Sequence, residues 1–206
     1  MTDRSPSPRL ILASRSPRRV LLLQEAGFTF EQADPPFNDP PQPDNDHPGS
    51  PASLATDLAR QKALSLRGHV GEDAVILSAD TICVGSDGCL IGQPADRDDA
   101  RRMIQHFAHN THAVITAVAL LADGMDQPEA FADEARVTLG SMNGVQLDEY
   151  LDSDQWHGKA GGYNLFDRRD AGWPLTVEGD ETTVVGLPMQ RIIPALAKLN
   201  IHPTKP

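Results

Sequence analysis

Arg9-Leu10-Ile11-Leu12-Ala13-Ser14-Arg15-Ser16-Pro17-Arg18-Arg19-Val20-Leu21-Leu22-Leu23-Gln24-Glu25-Ala26-Gly27 passes from a strand-length apolar run to a helix-periodic one, and that passage decides the fold. Residues 9–13 read as a short buried strand. Ser16 suits a helix N-cap, Pro17 the first helical position and Gly27 the residue just past the end, so Val20 to Ala26 predicts a helix. Strand, tight loop and helix together open an α/β unit.

The pattern continues outward. Thr29 to Ala33 reads as a second strand, and residues 34–51, which hold seven of the 17 prolines, as a loop. Ser50-Pro51 opens a helix to Arg67, with Leu54, Leu58, Ala59, Ala63 and Leu66 at helical spacing. Ala74 to Ala79 is a strand expected to end at Asp80-Thr81, and Ile82 to Ile91 a hairpin around Ser86-Asp87-Gly88. Asp96 to His106 predicts a capped helix, and Ala113 to Leu121 and Phe131 to Leu139 longer strands. Leu147 to Leu151 falls in a further helix, Leu175 to Val177 in a strand, and Pro188 to Leu199 in a closing helix. Alternation of this kind favours an α/β fold with its sheet covered on both faces, where ligands bind beyond the carboxyl ends of strands.

Composition narrows the function. The chain has 206 residues, 39% hydrophobic and 23% charged, as in an ordinary globular protein. No apolar run approaches the roughly 20 residues that span a bilayer, and the start lacks the apolar core of a secretory signal, so a cytoplasmic protein without membrane contact is expected. Cys83 and Cys89 are then expected as reduced thiols. A formal charge of −11 disfavours nucleic acid, whose phosphates demand Lys and Arg. A small anionic substrate requires positive charge concentrated locally.

Four segments offer that concentration or its counterpart. Ser14-Arg15-Ser16-Pro17-Arg18-Arg19 is a strand-to-helix turn whose helix start and guanidinium forks suit a polyphosphate, or equally a capped helix with solvated arginines. Asp80, at the end of an apolar run, can hold a metal ion, activate a water or cap a turn. Lys62 and Lys159 are two of only four lysines. A solvated helix face suits the first as well as a ligand does, and a plain glycine turn the second. No Gly-x-x-x-x-Gly-Lys-Ser/Thr loop, Gly-x-Gly-x-x-Gly motif or zinc spacing occurs, and His106, His109 and His112 read as helix-end and loop residues.

Taken in order, Leu12-Ala13-Ser14-x-Ser16-Pro17-Arg18-Arg19, Leu58-Ala59-x-x-Lys62-Ala63, Ser78-Ala79-Asp80-Thr81, Gly92-x-Pro94, Ala100-Arg101-x-Met103, Thr111-His112-x-Val114-x-Thr116-x-Val118, Lys159-Ala160-Gly161-x-Tyr163 and Val184-Val185-Gly186-Leu187-Pro188 resemble the Maf family, the septum-formation-inhibitor-like nucleotide pyrophosphatases. The resemblance implies a single domain over residues 9–200, with residues 1–8 and 201–206 as tails. It implies a mixed, twisted sheet in two lobes around a cleft, similar to the inosine triphosphate pyrophosphatases. It further implies hydrolysis of a modified or non-standard nucleoside triphosphate to monophosphate and pyrophosphate, a divalent metal (Mg²⁺ or Mn²⁺), and a homodimer.

Carried over residue by residue, the resemblance makes Asp80 the proton acceptor and Lys62 its catalytic neighbour on the phosphates. Ser14, Arg18 and Arg19 become phosphate ligands with it, while Arg15, Ser16, Gln93 and Lys159, in the same segments, are candidate substrate ligands, and Asp80 and Asp39 candidate metal ligands. Asp39 stands where the family usually has Glu, Gln93 where it commonly has Lys, and Phe166 where its best-known branch has Gln. The last two differences motivate a competing reading, a nucleotide-binding regulator of division or nucleotide stress that turns nucleotide over only weakly.

Overall fold

A computed structural model describes residues 8–40 and 48–204. Part of the expected proline-rich loop, residues 41–47, therefore lies outside the described residues, as do residues 1–7 and 205–206 of the expected tails.

The elements follow the alternation. They are β1 (Arg9–Ala13), α1 (Pro17–Glu25), β2 (Glu31–Ala33), α2 (Pro51–Leu66), β3 (Ala74–Val84), β4 (Leu90–Ile91), α3 (Arg97–Phe107), β5 (Asn110–Ala122) and β6 (Glu129–Leu139). After them come α4 (Gly144–Asp152), a 3₁₀ turn (Ala160–Gly162), α5 (Leu165–Asp170), β7 (Leu175–Glu178), α6 (Glu181–Val185) and α7 (Met189–Lys198). The seven strands form one mixed sheet in the order β2-β1-β3-β5-β6-β7, with β4 beside β3. β2, β1 and β3 run parallel, and the remaining pairings are antiparallel. No described helix is long and apolar enough to cross a membrane.

Period-two alternation along β3 assigns its two faces. Val75, Leu77 and Ala79 pack with Leu22 and Leu23 of α1 and Ile192 and Leu196 of α7. Ile76 and Ile82 pack with Ala55, Ala59, Ala63 and Leu66 of α2. A third cluster gathers Val114, Val137 and Leu139 from the far ends of β5 and β6 under α3 and α4, with Trp156 and Trp173. Beyond α7, Ile201 is buried in the first cluster and the Thr204 amide donates to Gly27 O.

β3 departs from expectation in a way that builds the site. Instead of stopping before Asp80 it runs unbroken to Val84, because its polar residues are met from both faces. Ser78 Oγ donates to Ala59 O and Lys62 Nζ to Asp80 on the α2 side, while Arg19 Nη2 donates to Thr81 Oγ1 on the other. The parallel register with β1 ends at Ala13↔Ser78, and β4 covers only Cys83 and Val84. Residues 79–82 are thus left without a strand partner on the β1 side, directly beyond the carboxyl end of β1.

Candidate active site

A cleft of about 580 Å³ opens at that gap, within the size range of small-molecule sites. Its charged wall residues are Arg15, Arg18, Arg19, Lys62 and Lys159 against Asp39 alone. The positive charge that an anionic ligand needs is therefore local, on a chain whose formal charge is −11.

The β1-to-α1 turn supplies one wall. Ser16 is the N-cap, but its hydroxyl makes no cap bond, and Pro17 removes one N–H, so the remaining first-turn amides have no intrahelical acceptor. Ser14 Oγ accepts instead, from the Ser16 amide at 3.2 Å and from Arg19 Nη1 at 3.2 Å. Arg18 and Arg19 are neighbours with different fates. Arg19 donates through Nε to Gly186 O at 3.0 Å, through Nη1 to Ala79 O at 2.8 Å and through Nη2 to Thr81 Oγ1 at 3.1 Å. It caps the strand edge that β1 leaves open, and burial lowers its pKa. Gly186, at φ 116°, holds a backbone conformation that favours glycine, and a Cβ there would also crowd Arg19 Nε at 3.1 Å. Arg18 makes no hydrogen bond or ion pair among the described residues and is half-buried in the cleft wall. Arg15 reaches outward, where its Nε donates to Asp34 Oδ1 at 2.5 Å and that bond raises its pKa.

α2 supplies Lys62 from its apolar stripe of Leu54, Leu58, Ala59, Ala63 and Leu66, so the lysine points inward with the core and not into solvent. Its Nζ lies 2.6 Å from Asp80 Oδ1 and 2.8 Å from Asp39 Oδ1. One ammonium thus bridges two carboxylates, Asp80 buried and Asp39 half-exposed. Lys62 faces the cleft, and Asp80 sits immediately behind it. Among the described residues, no group of three or more His, Cys, Asp or Glu side chains is placed to hold a metal ion. Asp39 and Asp80 nonetheless fit a divalent ion carried in by a polyphosphate, because Mg²⁺ typically takes one or two protein carboxylates plus phosphate oxygens and water.

The second wall is the segment from Gly158 to Leu165. Gly158, Gly161 and Gly162 hold φ of 67°, 73° and 76°, and a Cβ on Gly161 would meet the Phe107 ring at 3.3 Å. Lys159 Nζ donates to Gln155 O and lies 4.0 Å from Asp167 Oδ2. Burial lowers its pKa, and the nearby Arg18 charge acts in the same direction. Gln93 stands exposed in the wall, shared with a second cavity of about 390 Å³, while the neighbouring Gly92 carbonyl accepts from Gly161 N at 3.0 Å. Phe166 is not in the wall; it packs between the first and third clusters, beneath Arg169.

Several wall residues escaped the sequence reading. His112 was expected in a loop, but it is buried in β5 and stacks on Phe107 with centroids 4.1 Å apart. Its Nε2 shares a 2.9 Å hydrogen bond with Tyr163 Oη, and burial lowers its pKa to about 4. The overlooked signal is the alternation of His112, Val114 and Thr116, which is a strand period. Asn164, Cys83, Val114, Val184 and Val185 complete this side, whose apolar surface suits a flat ring.

The family model described as Maf-like protein matches residues 9–199. A dTTP/UTP pyrophosphatase of Maricaulis maris is 37% identical over 186 residues, covering 89% of this chain and 85% of the relative. One of Salinibacter ruber is 34% identical over 183 residues, covering 89% and 87%. Another, of Bacillus pumilus, is 32% identical over 195 residues, covering 95% and 98%.

Proposed function

This chain belongs to the Maf-like protein family, and from that premise we propose that it hydrolyses a nucleoside triphosphate between its α and β phosphates, releasing the monophosphate and pyrophosphate. The observation that carries the reading is Lys62 clasped between Asp39 and Asp80 in the wall of a cleft whose other charged wall residues are all cations, Arg18 having no partner among the described residues. In this reading the first two core clusters form one lobe and the third cluster the other.

Arg18, Lys159, Ser14, Ser16 and the free amides of the α1 first turn hold the polyphosphate, and Arg19 holds the turn against β3. Lys62 fixes Asp80 through Oδ1, leaving Oδ2 to take a proton from a water at the cleft edge. That water's oxygen bonds to the α phosphorus, the bond to the α–β bridging oxygen breaks, and pyrophosphate leaves with the electron pair. A divalent ion, which Asp39 and Asp80 would hold, would supply charge neutralisation for the phosphate oxygens. The curated relatives' names point to uridine and thymidine triphosphates as substrates.

The test is pyrophosphate release from a panel of UTP, dTTP, CTP, GTP and ATP with Mg²⁺ or Mn²⁺. Release is expected with the highest kcat/KM on UTP and dTTP, and to stop with EDTA. Tight binding of the panel without release from any member would make the chain a nucleotide-binding regulator instead.

A further inference from the structure

Asn164 is buried, 8% exposed, and belongs to the cleft wall beside Leu165, Tyr163 and the Val184–Val185 pair. It is also the N-cap of α5, and its Oδ1 accepts from the Asp167 amide at 3.1 Å. That single bond fixes the carboxamide. Turning it over would set Nδ2–H against the Asp167 N–H, donor against donor, and leave the helix start uncapped. Nδ2 must therefore point away from α5, and it makes no hydrogen bond among the described residues. A carboxamide in the cleft wall whose oxygen is turned to α5 and whose Nδ2 has no partner among the described residues presents donors to whatever fills the cleft.

Donor-only chemistry discriminates among bases. Uracil and thymine carry a 4-carbonyl that accepts, whereas cytosine carries a 4-amino group that donates, and their 2-carbonyls are alike. The polyphosphate already has Arg18, Lys159 and the α1 turn. The apolar surfaces of Leu165, Val184, Val185, Val114 and Cys83 lie on the side where Asn164 stands, which suits the ring. The cationic and apolar ends are separated along β3 by the step from Asp80 to Cys83, about 10 Å at strand rise, the scale of a nucleotide.

We propose that Asn164 is a specificity-determining residue whose Nδ2 donates to the pyrimidine 4-carbonyl, admitting uracil and thymine and turning cytosine away. The assignment rests on the nucleotide reading above. A site built to hydrogen-bond a substrate group rejects the analogue that cannot answer, because a buried polar group is then left unpaired.

The test compares kcat/KM for UTP, dTTP and CTP in the wild type, Asn164→Ser and Asn164→Asp. Both replacements keep an oxygen that caps α5, so melting temperatures should stay close to wild type. Ser loses the donor and should lower kcat/KM on UTP and dTTP about tenfold or more, with little change on CTP. Asp replaces the donor by an acceptor and should shift the UTP-to-CTP ratio further toward CTP, whatever its added charge does to both rates. An unchanged ratio in both variants, or equal losses on UTP and CTP, overturns the assignment. Calorimetry with the α,β-imido analogues of UTP and CTP reads the same ratio as binding. A wild type that releases no pyrophosphate from any nucleotide sinks the hydrolase reading, and the analogues then still decide the role of Asn164.

Discussion

The two walls of the cleft hold their polar groups in opposite ways. On the wall built from β1, α1, α2 and β3, groups that fix the geometry are met by protein: Arg19 by two carbonyls and two hydroxyls, Lys62 by two carboxylates. Among the described residues, Arg18 alone of its inward cations has no partner and is left for a ligand. The wall from Gly158 to Leu165 is built on left-handed glycines and carries a neutral His112–Tyr163 pair and a half-satisfied Asn164. A wall whose charges are already paired keeps its geometry with the cleft empty, which is what preorganised catalysis requires. A wall with spare donors suits recognition, and a change there alters which ligand fits before it alters the chemistry.

The largest expected effect tests the first wall. Asp80→Asn keeps the shape and the contact with Lys62 but removes the proton acceptor, so pyrophosphate release should fall at least about 100-fold, roughly 2.7 kcal/mol of barrier. Circular dichroism and melting temperature check that the fold survives. A variant retaining more than about a tenth of the rate would move the chemistry away from Asp80 and break the division of labour between the walls.

Next comes the second wall's response to acid. Burial holds His112 at about pKa 4 in the folded chain, below its ordinary value of about 6.5 when unfolded. As pH falls the unfolded chain binds the proton first. The stability tied to neutral His112 is therefore fully present above about pH 6.5 and lost between there and pH 4, to the extent of about 3 kcal/mol. Urea denaturation at pH 7.5 and 4.5 should show a shallower pH dependence for His112→Gln than for wild type, and identical slopes would remove the histidine from the account.

Arg18 and Arg19 sharpen the contrast within one wall. Arg19→Ala strips the Ala79 and Gly186 carbonyls of their donor and should cost about 3 kcal/mol, a fall of several degrees in melting temperature. Arg18→Ala should leave the melting temperature within about 2 °C yet weaken triphosphate binding about tenfold, with nucleoside binding unchanged. Scanning calorimetry and titration calorimetry on both variants settle which arginine serves the fold and which the ligand, and the reverse pattern would refute the assignment.

The same contrast explains what the chain made legible. β1, α1, α2, β5 and β6 declare themselves through apolar period and caps, whereas Lys62 stays open between a solvated helix face and a ligand until the fold buries it with the apolar stripe of α2. Asp80 was harder, because a carboxylate inside an apolar run reads as a strand end until its partner, 18 residues earlier, is known. Arg19 reads as a phosphate ligand in the sequence, and it does line the cleft, but nothing local reveals that Gly186, 167 residues later, also takes its Nε. The Gly158–Leu165 wall was least legible: its 3₁₀ turn and the six-residue α5 are too short for a period, and Asn164 acquires meaning only when Asp167 claims its oxygen.

The smallest effect tests whether the two walls share the phosphate charge. Gln93 occupies the position at which the family commonly has lysine, and it stands exposed in the cleft wall, where a longer side chain has room. Gln93→Lys should raise kcat/KM on at least one nucleotide. An exposed, screened cation contributes about 0.3–1 kcal/mol, so the gain should be roughly two- to fivefold. Arg15 is the rival source of that charge, but its side chain is 72% exposed and its Nε is held by Asp34, so it competes for the phosphates only by leaving that pair. Arg15→Ala in both backgrounds separates the cases. If Arg15 already compensates, its loss is larger with Gln93 than with the lysine variant and the effects are non-additive; if it stays with Asp34, they add. A folded Gln93→Lys protein with no gain on any nucleotide would leave position 93 without an electrostatic role, its amide serving only the loop that Gly92 ties to Gly161.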